Sequence, residues 1–132
     1  MDDLLYAYLP EGEDTVNKFL SKFDLGSSET DNFRYCGKQV ARDPDGTITV
    51  DVRDSMRRVK GAMIDAGCRG TEPLSQGELA TLRSITGSLS WIGRQGRPDL
   101  GYRVSRLQSS VENATIATLT DANRCVAFSH RP

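Results

Sequence analysis

The sequence has few of the residues on which many catalytic and cross-linked scaffolds depend. It contains three cysteines and one histidine in 132 residues. Because Cys36, Cys68 and Cys125 are odd in number and far apart, they suit neither a disulfide framework nor a zinc site, and we expect reduced thiols. His130 lies near the chain end, in a segment that we expect to fray. A Ser/His/Asp triad and a histidine-rich metal site are therefore excluded.

Long apolar runs are also missing. No stretch of about eighteen apolar residues occurs, as a membrane span would need. The chain opens on Met-Asp-Asp rather than on basic residues ahead of an apolar segment. We therefore expect no signal peptide, no membrane partner and an intracellular protein, cytoplasmic or nuclear. With 37% hydrophobic and 27% charged residues, the chain can form a core of modest size.

The small net charge of −1 hides an uneven distribution of charge. Residues 1 to 32 carry eight acids and two bases, whereas residues 33 to 110 carry eight acids and thirteen bases. A basic central segment could face nucleic-acid phosphates, although the usual explanation for scattered Arg and Lys is a solvated surface. Charge alone leaves both interpretations open.

The front of the chain has the patterns of a small α+β unit. Residues 2–8 read as a short strand that ends at a turn, and residues 14–23 carry apolar side chains at helical spacing up to Gly26. Residues 33–42 and 47–52 flank Asp43-Pro44-Asp45-Gly46, and apolar and polar side chains alternate over residues 47–52, which predicts a hairpin with one buried face.

Four helices are predicted behind the hairpin. The first runs from Met56 to Gly67, the second starts at a Ser75/Glu78 capping box and ends at Gly93, the third starts near Pro98, and a weaker fourth covers residues 120–128. Three of the glycines in this part, Gly87, Gly93 and Gly96, indicate close helix packing and a helix end rather than a phosphate-binding loop. The fold class is therefore α+β at the front and all-α at the rear, with a boundary near residue 53.

Three segments resemble copia-type retrotransposon reverse transcriptases. Met1-Asp2-Asp3-Leu4-Leu5 is similar to the end of the family's Tyr-x-Asp-Asp motif. Leu25-Gly26 followed by Phe33-Arg34-Tyr35-Cys36-Gly37 is similar to the strand that enters the family's hairpin. Residues 82–92 (LRSITGSLSWI) and 97–105 (RPDLGYRVS) resemble its thumb signature in order and spacing.

The resemblance implies a partial polymerase palm with its primer-supporting hairpin over residues 1–52. A helical thumb and the start of a connection to RNase H would follow over residues 53–132. It also implies that Asp2 and Asp3 are catalytic and bind Mg²⁺, with a third Asp from an earlier strand. Mg²⁺ prefers such oxygen ligands and leaves room for substrate phosphates. Because the fingers and that third Asp are missing, we expect a fragment that is inactive alone and holds no metal tightly.

The partners implied by the resemblance are a primer–template or RNA–DNA hybrid and the rest of the Pol polyprotein. The side chains that would contact phosphates are basic. They are Arg34, Lys38, Arg42, Arg83, Arg94, Arg97, Arg103 and Arg106.

Each of these arginines also has a structural explanation. Arg97 and Asp99 can bond to each other across the helix start at Pro98. Trp91 can stack on a base or sugar, but a Trp in an apolar helical stripe more often belongs to the core.

Two other functions remain open at this point. Residues 53–128 can act as a non-catalytic helical module that binds RNA–DNA or duplex DNA through its phosphates. The chain can also be a decayed relic of a mobile element that neither binds nor reacts.

Overall fold

The computed structural model describes residues 4–131, which divide into two compact units, Met1–Val50 and Asp51–Pro132. A three-stranded sheet with short helices precedes a bundle of helices, which confirms the predicted α+β class. The elements are α1 (Glu13–Leu20), β1 (Asn32–Tyr35), β2 (Lys38–Arg42), β3 (Ile48–Asp51), α2 (Arg53–Arg58), α3 (Gln76–Gln95), α4 (Gly101–Ser109) and α5 (Ile116–Ser129).

The strand predicted over residues 2–8 is wrong for the part that the structure describes. Residues 4–9 are neither helix nor strand and are exposed, and a 3₁₀ turn follows at Pro10–Gly12. An apolar run forms a strand only when a neighbouring strand supplies hydrogen bonds, and residues 4–50 provide none for it. Asp2 and Asp3 lie outside the described residues. The amphipathic helix is confirmed as α1, although it ends at Leu20.

The predicted hairpin is present as β2 and β3, but the strand order β1-β2-β3 includes a second turn. At Asp43 to Thr47 the chain reverses through a hydrogen bond from the Thr47 amide to Asp45, with Gly46 at φ +88°. The unpredicted turn between β1 and β2 has Cys36 at φ +47° and Gly37 at φ +78°. Positive φ at both central residues is the geometry of a tight hairpin turn.

The predicted burial of one sheet face is wrong. Ile48 and Val50 are 65% and 51% exposed. None of the side chains of residues 4–50 is buried, and this stretch holds ten of the twelve exposed large apolar side chains found among residues 4–131. Residues 4–50 therefore have backbone order without a core of their own.

The second unit contains the core. Side chains from α3, α4 and α5 form one cluster, which Val52 and Met56 join from the start of the unit. The most deeply buried large apolar side chains are Leu82, Leu89, Ile92, Leu100 and Leu119. Since a fully buried leucine contributes roughly 1.5–3 kcal/mol, this cluster supplies most of the stability of the unit.

Helix α2 is shorter than predicted. It ends at Arg58, and residues 59–65 continue without helix. The backbone of Ala62 is held by Asn123 on α5, which accepts from the Ala62 amide at 2.7 Å and donates to its carbonyl at 2.9 Å. Gly61 lies so close to Asn123 that a Cβ there would be 2.8 Å from its Oδ1. The helix is replaced because α5 offers this extended segment a better hydrogen-bonding partner.

The later helix starts are set by local caps. The Ser75 amide donates to Glu78 Oε2 at 2.8 Å, and the Glu78 amide donates back to Ser75 Oγ at 3.3 Å, which confirms the predicted capping box. Pro98 opens a 3₁₀ turn ahead of α4. Helix α5 begins at Ile116, earlier than predicted, because the Thr115 amide donates to Thr118 Oγ1 at 3.2 Å.

Candidate nucleic-acid interface

The outward face of α3 carries two arginines. Arg83, Gly87, Ser90 and Arg94 are spaced three or four residues apart and therefore share one face, while the opposite face lies in the core. Both arginines are exposed. Within residues 4–131, neither has an acidic group within ion-pair distance. The core packing of α3 fixes where this basic face points.

Gly87 has no packing role in the second unit, which corrects the expectation of close helix packing there. A Cβ at Gly87 would meet no atom within 4 Å, whereas one at Gly93 would lie 3.7 Å from Leu100, and one at Gly96 would be 2.7 Å from Val52. Glycine inside a helix costs about 1 kcal/mol relative to alanine. Residue 87 thus leaves a bare patch of backbone between two arginines, at a cost in stability that packing does not explain.

A groove of about 470 Å³ lies beside this face, between α3 and the end of α2. Arg58 and Lys60 line one side, Ser84 and Ser88 on α3 line the other, and the half-buried Trp91 closes it. The predicted core role of Trp91 holds in part, because its ring packs against the core cluster and also borders the groove.

The sequence analysis did not select Arg58 and Lys60. The available signal was the basic stretch from Arg53 to Lys60, in which four of eight residues are Arg or Lys. The neighbouring acids of this stretch are already used, since Asp51 pairs with Arg53 and Asp54 with Arg57. Among residues 4–131, no acidic side chain lines the groove, so its chemistry favours an anion.

Arg97 is held inside the second unit by several hydrogen bonds. Its Nε and Nη2 donate to the two Asp99 oxygens at 2.9 and 2.8 Å, which is the predicted Arg–Asp pair. Its Nη1 donates to the carbonyls of Ser129 and Arg131 at the end of α5. The hydrogen bonds from Arg97 hold the pKa of Asp99 below its usual value. Arg97 thereby links the α4 start to the α5 end.

The arginines of α4 lie next to α5. The Arg103 guanidinium stacks over the Phe128 ring at 4.4 Å from its centroid. Burial raises the pKa of the nearby Cys125 thiol, while the charges of Arg103 and Arg106 act in the opposite direction. The two arginines therefore form a second basic area, on α4 near Cys125.

The hairpin cations of the first unit are divided between the two faces of its sheet. Arg34 lies opposite Gln39, and Lys38 lies opposite Tyr35. Because side chains alternate along a strand, Lys38 and Arg42 share one face and Arg34 lies on the other. These three residues cannot contact the same stretch of backbone from one side of the sheet.

The described residues offer no metal site. Within residues 4–131, no three His, Cys, Asp or Glu side chains converge so that they could hold an ion. His130 is not frayed as expected: it caps α5, and its ring Nε2 lies 2.9 Å from the Met56 carbonyl. All three cysteines are free.

The two units differ in charge. Residues 1–50 hold ten acids and five bases, and residues 51–132 hold eight acids and twelve bases. Among the helices of residues 4–131, none is long and apolar enough to cross a membrane. Comparison with protein-family models, curated proteins and solved structures found no match for this chain.

Proposed function

We propose that the second unit binds the phosphate backbone of an RNA–DNA or duplex DNA helix, as the thumb of a copia-type reverse transcriptase. The first unit would then be the end of the palm with its primer-supporting hairpin. The motif resemblance over residues 82–105 supports the family assignment. The surface of α3 supports the binding function independently of it.

The observation that carries the proposal is the bare backbone patch at Gly87 between Arg83 and Arg94. These arginines are eleven positions apart, which is about 16 Å along a helix axis and roughly five base pairs of B-form DNA. A nucleic-acid strand can approach the helix closely only where no side chain intervenes. The two guanidinium groups would then reach phosphates on either side of the approach.

The remaining basic residues divide by what they contact. Arg103 and Arg106 form a second area for phosphate contact on α4, and Lys38 and Arg42 offer two cations on one sheet face. Arg97 acts within this proposal as a positioning residue, because its donors are bound to Asp99 and to the end of α5. It joins the start of α4, which carries Arg103 and Arg106, to the end of α5.

The test measures binding of the full chain to a blunt, labelled RNA–DNA hybrid of about 16 base pairs by fluorescence anisotropy. We expect affinity to fall steeply with salt, because binding releases counterions from phosphates. Replacing both arginines, Arg83→Gln with Arg94→Gln, should weaken binding and lower the slope of log K against log salt by about two.

A matched control variant removes two charges elsewhere. Arg57 and Arg124 are exposed, and each is already paired with an acid on its own helix. Arg57→Gln with Arg124→Gln should therefore leave the salt slope nearly unchanged. Equal losses in both double variants would show a general charge effect and would contradict a specific role for α3.

The catalytic part of the proposal concerns Asp2 and Asp3. In the proposed family role they would hold Mg²⁺, which activates a primer hydroxyl and stabilises the pyrophosphate that leaves. Since the family role also needs a third Asp from an earlier strand, we expect no primer extension by this chain with Mg²⁺. Clear Mg²⁺-dependent extension would contradict that expectation. Binding without extension would identify the chain as the non-catalytic module, and absence of both would favour a relic.

A further inference from the structure

The groove between α2 and α3 has the chemistry of a site for a single nucleotide. Arg58 and Lys60 provide two cations on one wall, and neither has an acidic partner within ion-pair distance among residues 4–131. Ser84 and Ser88 provide hydroxyl groups on the other wall, one helical turn apart. Cations recognise phosphate, and hydroxyl groups can donate to phosphate or sugar oxygens.

Trp91 adds the component that distinguishes a nucleotide from a simple anion. Its side chain is only partly buried, and it borders the groove three residues beyond Ser88. Stacking of a base on an aromatic ring is tolerant of sequence, because every base has a π-face. At about 470 Å³ the groove is also within the usual size range of small-ligand sites, roughly 300–1,000 Å³.

The groove is continuous with the proposed duplex-binding face. Gly87 lines the groove and also forms the bare patch between Arg83 and Arg94. A nucleic-acid strand that passes over Gly87 can therefore run from the exposed arginines into the groove that Trp91 lines. A paired base is already stacked within its duplex, so the base that stacks on Trp91 must be unpaired.

We propose that this groove holds one unpaired nucleotide of a single-stranded overhang, with its phosphate on Arg58 and Lys60 and its base on Trp91. The inference rests on the proposed function, because it takes the adjacent duplex to lie on α3. It extends that function, because the protein would then prefer duplex ends with a single-stranded overhang to blunt ends.

The test uses the full chain and the intrinsic fluorescence of Trp91, which is the only tryptophan. The probes are a blunt DNA duplex, the same duplex with an overhang of about three nucleotides, the same overhang made abasic, and a free trinucleotide. We expect the overhang to bind at least fivefold more tightly than the blunt end and to quench Trp91. The abasic overhang should not quench.

The variants separate the groove from general charge. Arg58→Gln with Lys60→Gln should abolish the advantage of the overhang and retain blunt-end binding. Arg57→Gln with Arg69→Gln removes the same charge outside the groove and should keep the advantage. Trp91→Phe should keep the unit folded, with its far-ultraviolet circular dichroism unchanged. By anisotropy, this variant should still bind the overhang duplex more tightly than the blunt duplex, but by a smaller factor than the wild type.

Each result distinguishes the inference from the function on which it rests. Blunt-end binding with no gain from an overhang would overturn the nucleotide site and leave the proposed function standing. Quenching by the trinucleotide without any duplex binding would overturn the proposed function and support the site. Absence of all binding would overturn both.

Discussion

At Arg97 one guanidinium joins the start of α4 to the end of α5. Its side chain is only 20% exposed, so water competes poorly with its hydrogen bonds to Asp99, Ser129 and Arg131. We expect Arg97→Ala to lower the free energy of unfolding by about 2 kcal/mol, measured by urea denaturation. Arg124→Ala is the control, because its exposed pair with Asp121 should contribute less than about 0.5 kcal/mol.

The loss of stability in Arg97→Ala should depend on pH. Because Arg97 lowers the pKa of Asp99 in the folded chain, the ionised carboxylate stabilises the fold above the pKa of an unfolded Asp, about 4. This contribution is lost as the pH falls through the lower folded-state pKa. The stability difference between the wild type and Arg97→Ala should therefore narrow on acidification below about pH 4. A constant difference would place the effect in the bonds to the Ser129 and Arg131 carbonyls, which do not titrate, rather than in the Asp99 pair.

Gly87 allows stability and binding to be separated at one residue. Since a Cβ there meets open space, Gly87→Ala should raise the free energy of unfolding by up to about 1 kcal/mol through helix propensity. The same methyl group would obstruct the close approach of a nucleic-acid strand and should weaken hybrid binding. Thermal denaturation and anisotropy on one sample check both effects. A more stable variant with unchanged affinity would show that the strand does not cross this position.

The capping box at α3 is the clearest test at the level of the element. Ser75→Ala removes the acceptor of the Glu78 amide and should cost about 1 kcal/mol. Gln76→Ala, which changes an exposed residue one position later, should be nearly neutral. The comparison is made by urea denaturation. Equal effects would mean that α3 is held only by its packing.

The elements show which features a sequence can specify. The starts at Ser75 and Pro98 and the turn at Gly46 depend on a few neighbouring residues, so local patterns predict them. Helix α2 stops at Arg58 because Asn123, which is distant in sequence, holds Ala62 in an extended segment. The local spacing of apolar residues cannot predict a contact with a residue so distant in sequence.

The candidate site divides in the same way. Arg83 and Arg94 could be selected from one helix, since residues three or four apart share a face. The groove beside them could not, because Arg58 and Lys60 meet Ser84 only after the chain folds back. The isolation of Arg34 from Lys38 likewise follows from strand register. Sequence patterns do not specify which residues of different strands or helices lie side by side, so these parts of the site could not be predicted.

On the scale of the whole molecule, stability is concentrated in the second unit. Residues 4–50 bury no side chain, whereas the core lies within residues 52–126. We expect limited proteolysis of the full chain to cut first between residues 4 and 50 and to leave a resistant fragment close to residues 51–131. Mass spectrometry of the products checks this. Early cleavage within α3 or α5 would contradict it.

Met56 and Met63 are seven positions apart and have opposite environments, with 6% and 96% of the residue exposed. Sulfur in an exposed methionine is oxidised readily, whereas sulfur in a core is shielded until the surrounding structure opens. Hydrogen peroxide would therefore convert Met63 to its sulfoxide while the fold persists. Oxidation of Met56 would follow the opening of the helical unit. The rate of Met56 oxidation therefore reports how often the unit opens, and the rate of Met63 oxidation in the same chain measures the exposure to peroxide.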